Sequence, residues 1–122
     1  GKAPQESSDA HAMVRAAEHN VLDRMKPGAS CAEVFAAHND FLRAHKLPEE
    51  KRILCHGQGY EMVERPLIRQ DEKMRVRENM NIGLHAAMVM NKNFMSNTNN
   101  FLIGPNGPER LHKTPQKLYE LV

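Results

Sequence analysis

The sequence has few aromatic side chains and few cysteines. It contains no tryptophan, only 5% aromatic residues, and two cysteines, Cys31 and Cys55, which do not form a CxxC pair. Aromatic residues supply the stacking surfaces that bind single-stranded nucleic acid. The low aromatic content of this chain therefore argues against such a partner. Two widely spaced cysteines are more typical of buried thiols than of a disulfide framework.

Long hydrophobic runs and a strong charge of one sign are also missing. No apolar run approaches the roughly 18 to 20 residues of a membrane-spanning helix, and the N-terminus lacks the apolar stretch of a signal peptide. The formal net charge is +2, with basic and acidic residues interspersed. We therefore expect no membrane partner, no nucleic-acid partner and a cytoplasmic location.

The remaining composition is that of an ordinary globular protein. Hydrophobic residues make up 40% and charged residues 26% of the 122 residues. This length is enough for one small domain with a buried core, and it is short for an enzyme with an enclosed site. We predict a single domain over 1–122.

Two amphipathic helices are predicted in the first part of the chain. Apolar residues at helical spacing predict a helix over about 8–26, which ends at Lys26-Pro27-Gly28. Ser30 and Glu33 have the spacing of a capping box, which predicts a second helix over about 30–46. The apolar stripe of the second helix carries two histidines, His38 and His45, which we interpret as core or interface residues.

A sheet is predicted after Pro48, over about 52–112. The stretch from Met80 to Met88 alternates between apolar and polar residues, and its polar face carries Asn81, Gly83 and His85. An Asn-rich connection over 91–100 and a tight turn at Asn106-Gly107 follow. A short C-terminal helix is predicted over about 115–122.

Several motifs of this chain resemble those of the creatinase/aminopeptidase family. Lys26-Pro27-Gly28 resembles the family's K-P-G, and His56-Gly57-Gln58-Gly59 with Glu64-Arg65-Pro66 resembles its H-G-x-G...H-E-x-P segment. The resemblance extends over almost the whole chain. It implies an α+β fold, the C-terminal half of a pita-bread domain, with a helix pair packed on a mainly antiparallel curved sheet.

The resemblance also implies a site chemistry. Members such as Xaa-Pro peptidases and methionine aminopeptidases hold two divalent metal ions, such as Mn, Co, Zn or Fe, with carboxylates and one histidine. The carboxylates offset the repulsion between the two cations, so that a metal-bound hydroxide can attack an amide carbonyl. His56 occupies the position of the metal-binding histidine of the family.

This sequence departs from the family pattern at three positions that matter. His85 and Thr98 stand where the family has two glutamate ligands, and Val63 stands where it has a histidine that handles protons. Both substitutions of glutamate remove negative charge that the two cations need. We therefore expect no metal cofactor, with His56 as the single retained ligand position and His85 as a candidate replacement ligand.

These observations lead to three hypotheses about function. The first is an Xaa-Pro peptidase-like protein with a degenerate metal site and no metallopeptidase activity. The second is a metal-independent, creatinase-like C–N hydrolase in which His56, His85 and Glu64 are catalytic. The third is a non-catalytic module that binds a peptide or a small nitrogenous ligand. Half of a pita-bread domain would expose sheet surface, so we also expect a homo-oligomer, in the simplest case a dimer.

Overall fold

Two α-helices form the first part of the chain in the computed structural model, which describes residues 1–121. Helix α1 spans Gln5–Leu22 and helix α2 spans Cys31–Ala44, so both predicted helices are confirmed, although each ends earlier than expected. The Ser30 side chain accepts a hydrogen bond from the Glu33 amide at 3.3 Å and thereby caps the start of α2. Neither helix is long and apolar enough to cross a bilayer.

Five strands form one antiparallel sheet in the order β2-β1-β3-β4-β5. The strands are β1 (Cys55–Gly57), β2 (Glu64–Ile68), β3 (Asn81–Met90), β4 (Asn93–Gly104) and β5 (Gly107–Arg110). The turn that joins β4 to β5 consists of Pro105 and Asn106, one residue earlier than the predicted Asn106-Gly107. Gly107 is the first residue of β5 and adopts a φ of +134°, which favours glycine. The expected α+β fold, a helix pair on an antiparallel sheet, is confirmed.

The interpretation of 91–100 as a connection was wrong. Only Asn91 and Lys92 form the turn, both with positive φ, and β4 begins at Asn93. Asparagine has a low strand propensity, but each of these residues pairs with a residue of β3, from Met90 opposite Asn93 to Asn81 opposite Leu102. Tertiary pairing therefore overrides local preference here.

The predicted C-terminal helix is also absent from the part that the structure describes. Residues 111–121 form no helix, and Val122 lies outside the described residues. Most of this segment is exposed, so it has little apolar surface packed on the body of the protein. A short segment without such packing does not offset the cost of helix nucleation.

The hydrophobic core lies between the helices and one face of the sheet. Val14 and Ala17 of α1 and Leu42 of α2 pack against Ala86 and Met88 of β3. A second, larger group continues this core toward the sheet's other end, and it includes Val21, Val34, Cys55, Ile82, Leu84 and Phe101. Because side chains alternate along a strand, Gly83 and His85 lie on the face of β3 that the helices do not cover.

His38 and His45 have different environments, although the sequence placed them on one apolar face. His38 is completely buried, which confirms its interpretation as a core residue. His45 is exposed at the C-terminal end of α2, where its Nδ1 donates to the Phe41 carbonyl at 2.8 Å, so its assignment to the apolar face was wrong. The helix ends at Ala44, and this removes His45 from the helical register.

Replacing His38 with leucine should make the protein less sensitive to acid. Neither ring nitrogen has a hydrogen-bond partner among the described residues, and burial lowers the pKa of His38 from 6.5 to about 4. The unfolded chain therefore binds an extra proton between these pH values, and stability falls as the pH falls from 6.5 to 4, by roughly 3 kcal/mol at this site.

Urea unfolding at pH 7 and at pH 4.5 measures this effect. We expect His38→Leu to be at least as stable as the parent at pH 7, because it removes two unsatisfied polar atoms, and to lose less stability at pH 4.5. His112→Leu, at an exposed position, serves as the control and should keep the pH dependence of the parent. An unchanged pH dependence in His38→Leu would contradict this prediction.

Candidate functional site

Three of the predicted site residues meet on the sheet face that faces away from the helices. His56 lies on β1 opposite Gly83 of β3, and His85 of β3 lies opposite Thr98 of β4. The three strands are adjacent in the sheet, so three residues that are distant in sequence form one polar cluster, hereafter the histidine site: His56, His85 and Thr98.

Two glycines allow close approaches around His56, one to its ring and one to the neighbouring strand β2. A side chain at Gly83 would place its Cβ 3.1 Å from Cε1 of His56, so the imidazole ring occupies the space above this glycine. A side chain at Gly57 would come within 2.6 Å of the Arg65 carbonyl oxygen on β2. These close approaches explain why glycines stand at both positions, and they hold the buried His56 ring beside His85.

The two imidazoles bind each other directly. Nε2 of His56 lies 2.8 Å from Nε2 of His85, and the rings stack with centroids 4.9 Å apart and an angle of 28° between their planes. Nδ1 of His56 lies 2.9 Å from the carbonyl oxygen of Gly57, which can only accept, so this nitrogen carries a proton. In the neutral ring, Nε2 of His56 then accepts the hydrogen bond, and Nε2 of His85 donates it.

Thr98 completes the chain of hydrogen bonds. Nδ1 of His85 lies 3.2 Å from Oγ1 of Thr98, and with its proton on Nε2 this imidazole accepts from the Thr98 hydroxyl. The His85 amide points the other way and donates to the Leu54 carbonyl at 3.0 Å. His85 and Thr98 are therefore a non-hydrogen-bonded pair of the ladder, in which facing side chains come closest together.

The environment keeps His85 neutral. Partial burial lowers the pKa of His85 below its usual value, and the neighbouring His56 imidazole and the positive charge of Arg52 lower it further. At neutral pH the imidazole can therefore accept a proton without first losing one.

Glu64 and Val63 lie at the edge of the site. The Glu64 carboxylate accepts a hydrogen bond from the Glu61 amide at 3.2 Å, and it makes no hydrogen bond to His56 or His85. A side chain at Gly59 would collide with this carboxylate, so Glu64 folds back on its own turn. Val63 is half exposed on the same turn and offers no polar group. A catalytic role for Glu64 stays a prediction.

Sequence reasoning missed a polar group next to the histidine site. Asn100 lies opposite Gly83, and its Nδ2 donates to Oε1 of Gln58 at 2.6 Å and approaches Oδ1 of Asn81 at 3.4 Å. The alternation of β3 predicts Asn81 on the face of His85, whereas the Asn-rich pattern predicts a connection at Asn100. If this segment is read as a strand, the spacing of two residues between Thr98 and Asn100 places both side chains on one face.

The donors that this chain supplies do not fit a two-metal centre. His56 and His85 use their facing nitrogens for each other, Thr98 has no charge, and no carboxylate of residues 1–121 makes a hydrogen bond to either imidazole. Within residues 1–121, no group of three His, Cys, Asp or Glu side chains is placed to hold an ion.

Comparison with known proteins places these features in a family. The family model described as metallopeptidase family M24 matches residues 1–105. A search of curated protein sequences found no significant match.

Solved structures share the fold. The prolidase from Pyrococcus horikoshii OT3 superimposes with a TM-score of 0.85 at 24% sequence identity, over 98% of this chain and 35% of that chain. The X-Pro aminopeptidase from Thermotoga maritima MSB8 superimposes with a TM-score of 0.85 at 22% sequence identity, over 96% of this chain and 34% of that chain. A methionine aminopeptidase from Thermotoga maritima superimposes with a TM-score of 0.69 at 16% sequence identity, over 91% of this chain and 53% of that chain. The chain thus spans about a third of the length of the first two proteins.

Replacing Gly83 with alanine should separate the two histidines without unfolding the sheet. The new methyl group would lie 3.1 Å from Cε1 of His56, so the ring has to shift away from His85. We expect the nitrogen–nitrogen coupling across the imidazole hydrogen bond, measured by NMR of the 15N-labelled protein, to disappear. Gly104→Ala is the matched control, because its Cβ meets the flexible end of Glu109. A coupling that survives in Gly83→Ala would contradict the described geometry.

Proposed function

Because the chain belongs to metallopeptidase family M24, we propose that it forms the C-terminal half of an Xaa-Pro peptidase-like protein whose site does not perform two-metal hydrolysis. The names of the matching structures, a prolidase and an X-Pro aminopeptidase, support a peptide as the ligand. The single observation that carries the proposal is the 2.8 Å hydrogen bond between the two imidazoles. It occupies the nitrogen of His56 that would otherwise be free for a metal.

Charge supports the same proposal. Two divalent cations about 3.5 to 4 Å apart need bridging carboxylates to offset their repulsion. The register places His85 and Thr98 opposite each other, so both neutral residues face the space beside His56. A pair of ions there would meet one imidazole nitrogen already engaged, one hydroxyl and no negative charge.

A second candidate is metal-independent hydrolysis of a C–N bond, and the continuous hydrogen-bond chain favours it. The Thr98 hydroxyl can take a proton from an attacking water while it passes its own proton to Nδ1 of His85, and this uptake is balanced by transfer of the Nε2 proton of His85 to His56. His56 would then carry two protons, one of them still donated to the Gly57 carbonyl. As the C–N bond breaks, the proton returns along the same path to the leaving nitrogen.

A third candidate is a binding module for a peptide or a small nitrogenous ligand. The polar group formed by Gln58, Asn81 and Asn100 beside the histidine site offers amide donors and acceptors that suit such a ligand. In this case the histidines would orient the ligand and would not transfer protons.

One assay separates these candidates. Hydrolysis of Xaa-Pro dipeptides and of small amides or amidines is measured with Mn²⁺ or Zn²⁺, with a chelator, and in the variants His85→Gln and His112→Gln. We expect no hydrolysis that depends on metal, because the site lacks carboxylates. Two bound ions per chain together with Xaa-Pro cleavage would overturn the proposal.

The remaining outcomes decide between the other candidates. Turnover that resists the chelator and is lost in His85→Gln but kept in His112→Gln supports metal-independent hydrolysis. Loss of ligand binding in His85→Gln, with no turnover in any sample, supports the binding module.

We also propose that the protein self-associates through the outer edge of β4, a surface that leaves the histidine site open. Val89 and Phe94, which lie opposite each other on β3 and β4, are 55% and 64% exposed. Within residues 1–121, β5 pairs only with Phe101–Gly104 of β4, so the preceding part of β4 has a free outer edge. An apolar face next to a free edge favours association with a second copy.

Light scattering over a range of concentrations tests this proposal. We expect a dimer whose dissociation constant rises at least tenfold in Phe94→Lys, because a charge would replace exposed apolar surface. Leu121→Lys, also exposed but far along the C-terminal segment, is the control. A monomer at all concentrations would refute self-association.

A further inference from the structure

A cavity lies on the sheet beside the histidine site. It has a volume of about 360 Å³. Its apolar lining comes from β3 (Ala87, Met88 and Val89), from β4 (Phe94), from α2 (Leu42) and from Pro48 after α2. Ala87 lies two residues beyond His85 on the same face of β3. The cavity is therefore next to the histidine site, and its walls can accept an apolar group of moderate size.

Arg52 is a charged lining residue whose side chain is held in a fixed position. Its Nε and Nη2 donate to the two carboxylate oxygens of Glu50 at 3.0 and 2.9 Å, and its backbone amide donates to Oε1 at 2.7 Å. The Glu50 side chain is only 6% exposed, whereas that of Arg52 is 67% exposed. A guanidinium at the surface is thus held in place from below by a buried carboxylate.

Glu50 is itself fixed by a buried asparagine. Nδ2 of Asn39 donates to the Glu50 carbonyl at 3.1 Å, and the Glu50 amide donates to Oδ1 of Asn39 at 2.8 Å. Burial alone would raise the pKa of Glu50, but the hydrogen bonds from Arg52 outweigh it and lower the pKa. The carboxylate is therefore ionised at neutral pH and keeps Arg52 oriented without help from a ligand.

One edge of the guanidinium remains available. Nη1 of Arg52 donates no hydrogen bond to any residue in the range 1–121, and neither does the Lys51 ammonium, which also lines the cavity. The two lining acids are engaged, Glu50 with Arg52 and Glu49 with Arg43. The uncommitted charged donors at this cavity are therefore both cationic.

We propose that this cavity binds a small carboxylate with a branched apolar body, and that Arg52 is the residue that recognises the carboxylate. The Nη1 edge of Arg52 would donate to the carboxylate, and the apolar body would rest on Pro48, Ala87 and Met88, which lie outside the proposed self-association surface. The inference rests on the proposed function in that it names a ligand class for the same sheet face. Binding is measured without hydrolysis, so either proposal can fail while the other stands.

The position of Arg52 relative to His85 fits this role. The chain after Arg52 runs alongside β3, where the Leu54 carbonyl accepts from the His85 amide. The charge of Arg52 is also near enough to contribute to the lowered pKa of His85. A carboxylate on Arg52 would thus hold the ligand next to the histidine site.

The test uses 4-methylpentanoate and its neutral amide, 4-methylpentanamide, as probes in NMR titrations of the 15N-labelled protein. We expect the carboxylate to shift the amide signals of Ala87 and Val89 and to bind at least about tenfold more tightly than the amide, since a charged hydrogen bond is lost in the latter. Arg52→Gln should weaken carboxylate binding about tenfold or more and leave binding of the amide unchanged.

Two further variants keep the test decisive. Arg52→Gln leaves the buried Glu50 carboxylate without its partner and can destabilise the fold. The double variant Glu50→Gln/Arg52→Gln removes both charges, so it should keep the fold and show the same loss of carboxylate binding. Arg24, just after the end of α1, donates to Asn20 and does not line the cavity. Arg24→Gln removes the same charge there and should bind the carboxylate like the parent. Equal binding of acid and amide, or equal weakening by Arg24→Gln, would overturn the proposal.

Discussion

The antiparallel pairing of β3 with β4 is the constraint on which the site depends. This ladder runs from Asn81 opposite Leu102 to Met90 opposite Asn93, and it places His85 opposite Thr98. A slip by one residue would turn His85 toward the helices and would bring a different residue next to it. The polar cluster therefore exists only in one register, and whatever holds that register also holds the site together.

A buried carboxylate on the opposite face of the sheet contributes to that register. Glu18 of α1 is 1% exposed, and it accepts hydrogen bonds from the side chains of Asn97 and Asn99, which flank Thr98 on β4. Arg15 pairs with the same carboxylate at 2.8 Å. A shift of β4 would remove the two asparagine donors and leave this buried carboxylate with Arg15 alone, so the cluster favours the observed pairing over its neighbours. The asparagines that make β4 look like a loop in the sequence are the residues that attach it to the helix.

The buried acids of the described residues pair with hydrogen-bond donors of the scaffold. Glu72, with its side chain 3% exposed, accepts from Arg65 and from the amides of Leu67 and Met74, and the hydrogen bonds from Arg65 hold its pKa at about 2. Glu50 supports Arg52 in the same way. Negative charge is thus present in the protein interior, but each buried carboxylate among residues 1–121 accepts hydrogen bonds from protein donors. The histidine site contains no acidic side chain, and hydrogen bonding is the interaction that organises it.

The sequence by itself determined the two helices, the turn at Asn106-Gly107 to within one residue, the alternation of β3 and the family resemblance that is now confirmed. These features follow from local spacing and backbone preference, which are readable from neighbouring residues. Only the tertiary structure decided that 93–100 is a strand, that His45 is exposed and that no helix forms within 111–121. It also decided that His56 binds His85 and that Arg52 is fixed by Glu50. Each of these depends on contacts between residues brought together by the sheet, and such contacts have no fixed spacing along the chain.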